Sequence, residues 1–401
     1  MNAPTRPSPK VTTLVTASLL FTGIASGATM PYQGIVAIDG LGFSNAAYAV
    51  MLTIGSLVGV TVSVFLGWLS DRVDDRRWLV IACAIIGGSG QALVWVVREP
   101  WALVVMACAL GPFGGALYSQ TMAFGRAYLE TRGGTGIAFV MTVIRAVFAL
   151  SWVIAPPLGG WIAAAYTVFD PYLVGIISSA ICIMIFALLR ADPQTRIVRH
   201  AKSEKGNATG TGVASYMIVG IVGVVCLSTA TRLNGLGAPL AIVTHWGGTV
   251  ADVGIYASLA AFIEIPFMIA WGYGTKRFPL PVLLAVAGLI YGSYVYLAGR
   301  VSGVGELLWL QGLNGIGTAG VLSLPIAYVQ DAIKGRVGLS TSLLDVIFVT
   351  ASLLTAGAFA LFTSERSFLA IFPIATITAV AGALIIALAY WLERRAITAS
   401  D

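Results

Sequence analysis

A few ionisable side chains stand deep inside long apolar runs of this chain: Arg145, Arg232, Glu264 and Asp345. Such groups are costly in hydrocarbon and by default mark a substrate or ion pathway. Glu264, in Glu264-Ile265-Pro266, falls about 14 residues into its apolar run, near mid-depth at about 1.5 Å of rise per residue. Arg145 lies about 11 residues and Asp345 about 9 residues into theirs, at similar depth. Arg232 sits towards the far end of its run, and Asp39 ends the first one. A buried carboxylate that shares its surroundings with a cation can exchange a proton when a substrate arrives. The competing reading is a static salt bridge between helices.

Amides in apolar surroundings form a second set: Gln33, Gln91, Gln120, Asn234, Gln311 and Asn314. An amide both donates and accepts, which suits vicinal hydroxyls. Trp152, Tyr118 and Trp271 can stack on the apolar face of a sugar ring. For each amide, an interhelical hydrogen bond is the competing reading. Gln91 is expected to be structural. Pro31, Pro112, Pro156-Pro157, Pro266, Pro325 and Pro373 interrupt the runs and should kink their helices.

The elements that position these residues follow from composition. Of 401 residues, 58% are hydrophobic and 10% charged, with a mean hydropathy of +0.90. Soluble domains carry about 25% charged residues, so the chain is expected to lie in a lipid bilayer. About 20 apolar residues span the hydrocarbon core. Spans are expected at about 13–37, 46–70, 78–97, 101–126, 134–165 and 171–190, then at about 213–237, 250–275, 279–299, 304–330, 336–363 and 368–392. This is an all-α polytopic membrane protein with 12 transmembrane helices, read as a bundle over 1–190, a flexible cytoplasmic linker over 191–212 and a second bundle over 213–401. The first run is too long for a signal peptide and is taken as an uncleaved helix.

With the N-terminus inside, only Arg98, Arg300 and Arg366 fall outside, and Arg145 and Arg232 fall within helices. The remaining Lys and Arg, of 23 in all, then lie on the cytoplasmic side, which puts both termini and the linker there. The net charge of +6 is dispersed over short loops, so no nucleic-acid partner is expected. Cys83, Cys108, Cys182 and Cys226 show no C-x-x-C spacing and read as packing residues. With two histidines, His200 and His245, there is no nucleophile–base spacing, metal cluster or phosphate loop, and no enzyme or cofactor is expected. A sensor would need a sizeable soluble output domain, and the longest loop, 191–212, is too short for one.

The basic stretch Gly67-Trp68-Leu69-Ser70-Asp71-Arg72-Val73-Asp74-Asp75-Arg76-Arg77 separates the second and third runs. Gly67 is expected to let its helix approach a neighbour closely. Asp71, Arg72, Asp75, Arg76, Arg126 and Glu130 are expected to form a charge network that holds a cytoplasmic gate closed. A degraded echo follows the eighth run, in Gly272-Tyr273-Gly274-Thr275-Lys276-Arg277. Gly133-x-x-Gly136 is echoed by Gly335-x-x-Gly338.

The G-x-x-S-D-R-x-D-D-R-R pattern resembles the loop between helices 2 and 3 of the major facilitator superfamily. Thr22-Gly23-Ile24-Ala25, Arg145 with Ser151-Trp152-Val153-Ile154-Ala155-Pro156-Pro157-Leu158, Glu264-Ile265-Pro266, Gln330-Asp331 and Gly335-Arg336 together resemble its sugar efflux transporters. The resemblance spans nearly the whole chain. It implies the major facilitator fold of two six-helix pseudo-repeats, a substrate site near the bilayer midplane and alternating access. It further implies proton-driven export of a sugar or glycoside across a bacterial inner membrane by a monomer, powered by the proton gradient. In that fold helix 5 lies against helix 8, so Arg145 and Glu264 are expected to meet. Gln33, Asn234, Gln311 and Asn314 lie on helices that line the family's cavity, and Gln120, Trp152 and Asp345 complete the expected site. Asp345 and Arg232 depart from the family pattern. A drug–proton antiporter is the alternative, because a glutamate in an aromatic pocket also suits a lipophilic cation.

Overall fold

The computed structural model describes residues 7–70, 72–73, 75–132, 136–197, 215–332, 337–363 and 367–398. Among these, twelve helices are long and apolar enough to cross a membrane: α1 (Pro9–Gly40), α2 (Asn45–Ser70), α3 (Arg77–Val97), α4 (Pro100–Thr131), α5 (Ile137–Ala165), α6 (Pro171–Ala191), α7 (Ser215–Thr244), α8 (Val250–Gly274), α9 (Leu280–Ala298), α10 (Gln311–Ala332), α11 (Val337–Phe362) and α12 (Ile371–Thr398). Backbone polar groups have no water to bond in hydrocarbon, so a spanning segment must satisfy them within itself, and a helix does so. The expected tenth span is interrupted: a short helix, Val304–Trp309, precedes α10.

The chain divides into two compact units. The first comprises 1–43, 54–201 and 249–258, and the second 44–53, 202–248 and 259–401. The start of α2 thus groups with the second unit and the start of α8 with the first, so the grouping departs from the expected cuts at 190 and 213.

In the first unit α1 runs along α5 and α6, and α3 packs on α4 and α6. Hydrophobicity cannot bring helices together in lipid, so close backbone contact between small residues does. Gly87 of α3 lies on Gly114 of α4, where a Cβ would come within 2.6 Å of the neighbouring Cα. Apolar side chains cover the rims as well, with Phe139 and Trp161 of α5 exposed, as expected of helices that face lipid. The second unit is built the same way, α7 and α9 packing on α12 and α9 on α10. Trp271 Nε1 donates to the Ile316 carbonyl at 2.9 Å and fixes α8 to α10. The start of α2 is held by Asn45 Nδ2 on Thr363 Oγ1 at 3.0 Å and by an edge contact of Tyr48 with Phe359.

Several helix ends carry a cation over an aromatic ring one turn away: Arg72 over Trp68 (3.9 Å), Arg300 over Tyr296 (3.5 Å) and Arg395 over Trp391 (3.6 Å). Aromatic belts with charged heads mark the depth at which hydrocarbon gives way to water.

Residues 191–197, expected to open a flexible linker, are docked. Pro193–Thr195 form a 3-10 turn capped by Asp192, whose carboxylate accepts from the Gln194 N–H at 2.9 Å. The rest of the expected linker, with Arg199, His200, Lys202 and Lys205, lies outside the described residues, as do Gly133, Gly335, Arg336 and Arg366.

Candidate functional site

The double proline of α5 ties three helices of the first unit together. Pro157 has no N–H for the Val153 carbonyl one turn earlier. That carbonyl instead accepts from Ser258 Oγ of α8 at 2.6 Å. The Pro156 carbonyl accepts from the Tyr32 hydroxyl of α1 at 2.5 Å. Both partners belong to the first unit, and Ser258 supplies the donor that Pro157 lacks, where no water can replace it. Gly254 of α8 is pressed against the same prolines: a Cβ there would come within 2.5 Å of the Pro156 carbonyl oxygen.

Arg145 and Trp152 precede this knot on α5, Arg145 exposed and Trp152 half-buried. Glu264 is half-buried on α8 and Asp345 half-buried on α11. Within its own unit none of these three charges has a hydrogen-bond or ion-pair partner among the described residues. Arg232 lies over the Phe348 ring at 5.8 Å. Ionic side chains without a fixed partner in a membrane helix are poised to bind something that comes and goes.

The amides separate. Gln33 lines a cavity in the first unit with Gln91. Gln120 is buried on α4. Asn234 is buried and accepts from the Tyr294 hydroxyl at 3.4 Å. Gln311 and Asn314 bond to their own helix. Gln311 Nε2 donates to the Leu307 carbonyl at 2.9 Å, Asn314 Nδ2 to Gln311 Oε1 at 2.7 Å, and Thr318 Oγ1 to Asn314 Oδ1 at 3.0 Å. Gln311 is fully buried. The pair forms a ladder along α10 that uses the groups expected to meet a ligand.

The basic loop also differs from expectation. A Cβ at Gly67 would meet nothing within 4 Å among the described residues. Asp71 lies outside the described residues. Arg72 covers Trp68 and donates to its carbonyl at 3.4 Å. Arg126 pairs with Glu130 one turn along α4 at 2.7 Å, with both side chains more than half exposed. Asp75 is taken by Arg77, which donates to both its carboxylate oxygens at 2.8 Å.

Arg77 was not among the expected gate residues, yet it organises the loop. It is 3% exposed and also donates to the carbonyls of Leu189 and Asp192 and, at 2.5 Å, to Thr195 Oγ1. Arg77 thereby staples the loop to the end of α6. The bonds from the Arg77 guanidinium hold the Asp75 carboxyl below its ordinary value against the opposing effect of partial burial. Asp170 anchors a second cluster, which the sequence did not announce. It accepts from Trp95 Nε1, Arg98 and Thr167. Partial burial works against ionisation there, but these donors hold Asp170 below the usual carboxylate range.

No cluster of metal-ligating residues is present among the described residues. A family model described as Major Facilitator Superfamily matches residues 15–220. Sugar efflux transporter A of Dickeya chrysanthemi is 27% identical over 80% of this chain and 81% of its own length. Sugar efflux transporter C of Escherichia coli is 28% identical over 84% and 86%. Among solved structures, a peptide transporter in complex with alafosfalin superposes with a TM-score of 0.79 at 15% identity, covering 98% of this chain and 97% of its own. This last likeness concerns the fold alone.

Proposed function

Because the chain belongs to the Major Facilitator Superfamily, a family of membrane transporters, we propose that it exports sugars or glycosides from a bacterial cytoplasm in exchange for protons. The observation that carries this reading is the similarity to curated sugar efflux transporters over four-fifths or more of the chain. The chemistry of the unpaired charges supports it. Glu264 is the proton carrier, since a carboxylate without a fixed partner can load and release a proton as its surroundings change. Arg145 donates its guanidinium hydrogens to sugar hydroxyls, and Trp152 offers a face for the ring. Substrate and proton must favour different states of the transporter, because a ligand with equal affinity for both shifts nothing. Both termini lie in the cytoplasm of a bacterium whose inner membrane the monomer crosses, as the distribution of Lys and Arg supports.

The test is proton-gradient-driven counterflow in proteoliposomes with labelled lactose, a thioglycoside and a cationic dye. The sugars should accumulate with the wild type, and Glu264→Gln should lose gradient-driven accumulation while retaining exchange. Movement of the dye alone would make the protein a drug–proton antiporter. Full gradient-driven transport by Glu264→Gln would remove that residue from coupling.

A further inference from the structure

A half-open recess of about 330 Å³ lies in the second unit, where α9 ends and α12 begins. Tyr296, Gly299 and Arg300 form one wall, and Phe372, Pro373 and Thr376 face them. Arg300 is the one cation in the lining, which holds no Asp, Glu, Lys or His. The helix α9 is 19 residues long, about 28 Å at 1.5 Å of rise per residue. Its end therefore stands where a hydrocarbon core of about 30 Å gives way to headgroups. None of Arg145, Glu264 and Asp345 lines the recess.

Three features of the recess suit a particular kind of ligand. The Arg300 guanidinium is fixed but only partly used. Its Nη1 donates to the Tyr296 carbonyl at 2.9 Å, and the charge lies over the Tyr296 ring at 3.5 Å. Among the described residues Arg300 has no ion pair, and Glu306, the acid of the same connection, accepts from the Ser302 N–H at 2.8 Å. The Nε and Nη2 hydrogens remain for an anion, and they form a fork that matches two oxygens of one phosphate. Next, backbone makes the floor: a Cβ at Gly299 would come within 2.8 Å of Phe372 Cβ, so no side chain fills the space from there. Finally, an apolar stripe runs down each helix from the rim. Leu289 and Tyr296 share one face of α9, and Ile377 and Leu384 share one face of α12, all exposed at helical spacing. Between the two helices, Gly292 lies on Val380, where a Cβ would come within 3.2 Å.

We propose that this recess binds the headgroup of an anionic phospholipid, a phosphodiester such as phosphatidylglycerol, with the acyl chains laid along the two stripes. The phosphate takes the free fork of Arg300, and no carboxylate in the lining repels it. Thr376 Oγ1 donates to the Phe372 carbonyl at 2.8 Å, which leaves its oxygen to accept from a glycerol hydroxyl. A choline head finds no such place, because the ring that would receive it is already covered by Arg300. The volume is at the low end of the ~300–1,000 Å³ typical of ligand pockets. It holds a headgroup and excludes the tails, which the exposed stripes receive. Basic residues near a bilayer surface attract anionic lipid in general; the recess adds a fixed geometry. The inference rests on the second unit alone and is independent of which substrate is transported.

The experiment titrates the detergent-solubilised protein with dioleoyl phosphatidylglycerol, dioleoyl phosphatidylcholine and soluble glycerol 1-phosphate. The thermal unfolding midpoint and lipid adducts in native mass spectra are the readouts. Phosphatidylglycerol should give a saturating rise in midpoint that phosphatidylcholine does not. Arg300→Gln should raise the half-saturating concentration about tenfold, the size expected for lost bonds to a charged group. Arg395→Gln removes a cation over an aromatic ring near the other end of α12 and should leave half-saturation unchanged. Equal responses to the two lipids, or equal losses in the two variants, would mean diffuse charge attraction and overturn the site. Saturation by glycerol 1-phosphate at the same concentration would make this a site for free phosphate esters and overturn the lipid. Undiminished binding in Arg300→Gln would place the lipid elsewhere. If Arg300→Gln does not fold, Ile377→Ser on the exposed stripe decides: it should weaken binding severalfold, and unchanged half-saturation overturns the assignment.

Discussion

Arg77 shows how much one side chain can hold. It is buried, paired with Asp75 and bonded to three acceptors around the end of α6. Removing it strips the carboxylate of both guanidinium bonds and leaves the Leu189 and Asp192 carbonyls to Thr195 alone. Arg77→Ala should therefore cost about 3 kcal/mol, read as a lowered thermal midpoint. Arg77→Lys should recover only part of this, because an ammonium cannot reproduce the fork on the carboxylate. The pH dependence has a definite sign. The Asp75 pKa is lowered in the folded state, so its stabilisation is present above the ordinary carboxylate pKa and is lost as pH falls through the folded value. Asp170 acts in the same direction. Acid titration of stability should be shallower for Asp75→Asn than for the wild type, and an unchanged profile would count against the staple. The sequence displayed the charges of this loop but not their partners. Asp75 and Arg77 are close in sequence, whereas the acceptors around Leu189 and Thr195 are reached only by folding.

At the scale of the element, α5 is informative because Pro157 leaves a carbonyl, that of Val153, which another helix satisfies. Ser258→Ala should orphan the Val153 carbonyl in a low-dielectric setting, at a cost of about 1–3 kcal/mol. Pro157→Ala restores an N–H to the same carbonyl and should cancel most of that loss in the double variant. The interaction energy of the double-mutant cycle measures this, and strict additivity would show that the two groups do not communicate. The prolines were legible in the sequence as kinks, but the donor that Ser258 supplies to the Val153 carbonyl was not, because serine is too common to signal a partner more than 100 residues away. The ladder on α10 was not legible for a related reason. A Gln and an Asn three residues apart suit a ligand and a helical hydrogen bond equally, and only burial decides between them.

For the whole molecule, the arrangement of positive charge is the testable feature. Single cysteines at Gln194 and Ser302, in a background without the native thiols, should react with a membrane-impermeant maleimide from opposite sides. Gln194→Cys should be labelled only in inside-out vesicles and Ser302→Cys in intact spheroplasts; the reverse would invert the proposed orientation. The sequence alone determined that the chain is a set of membrane helices, because length, hydrophobic runs and charged loops are one-dimensional quantities that lipid reads directly; its major facilitator type came from the resemblance carried by its motifs. It also located the charges within those helices, since an ion in hydrocarbon is conspicuous without any knowledge of its neighbours. Tertiary structure alone decided which polar groups find partners: Gln311 and Asn314 bonded to their own helix, Arg77 buried at the end of α6, and Gln91 Oε1 and the Tyr172 hydroxyl buried without a partner among the described residues. Hydrogen bonds extend only about 3 Å, and which groups come that close depends on how the helices pack.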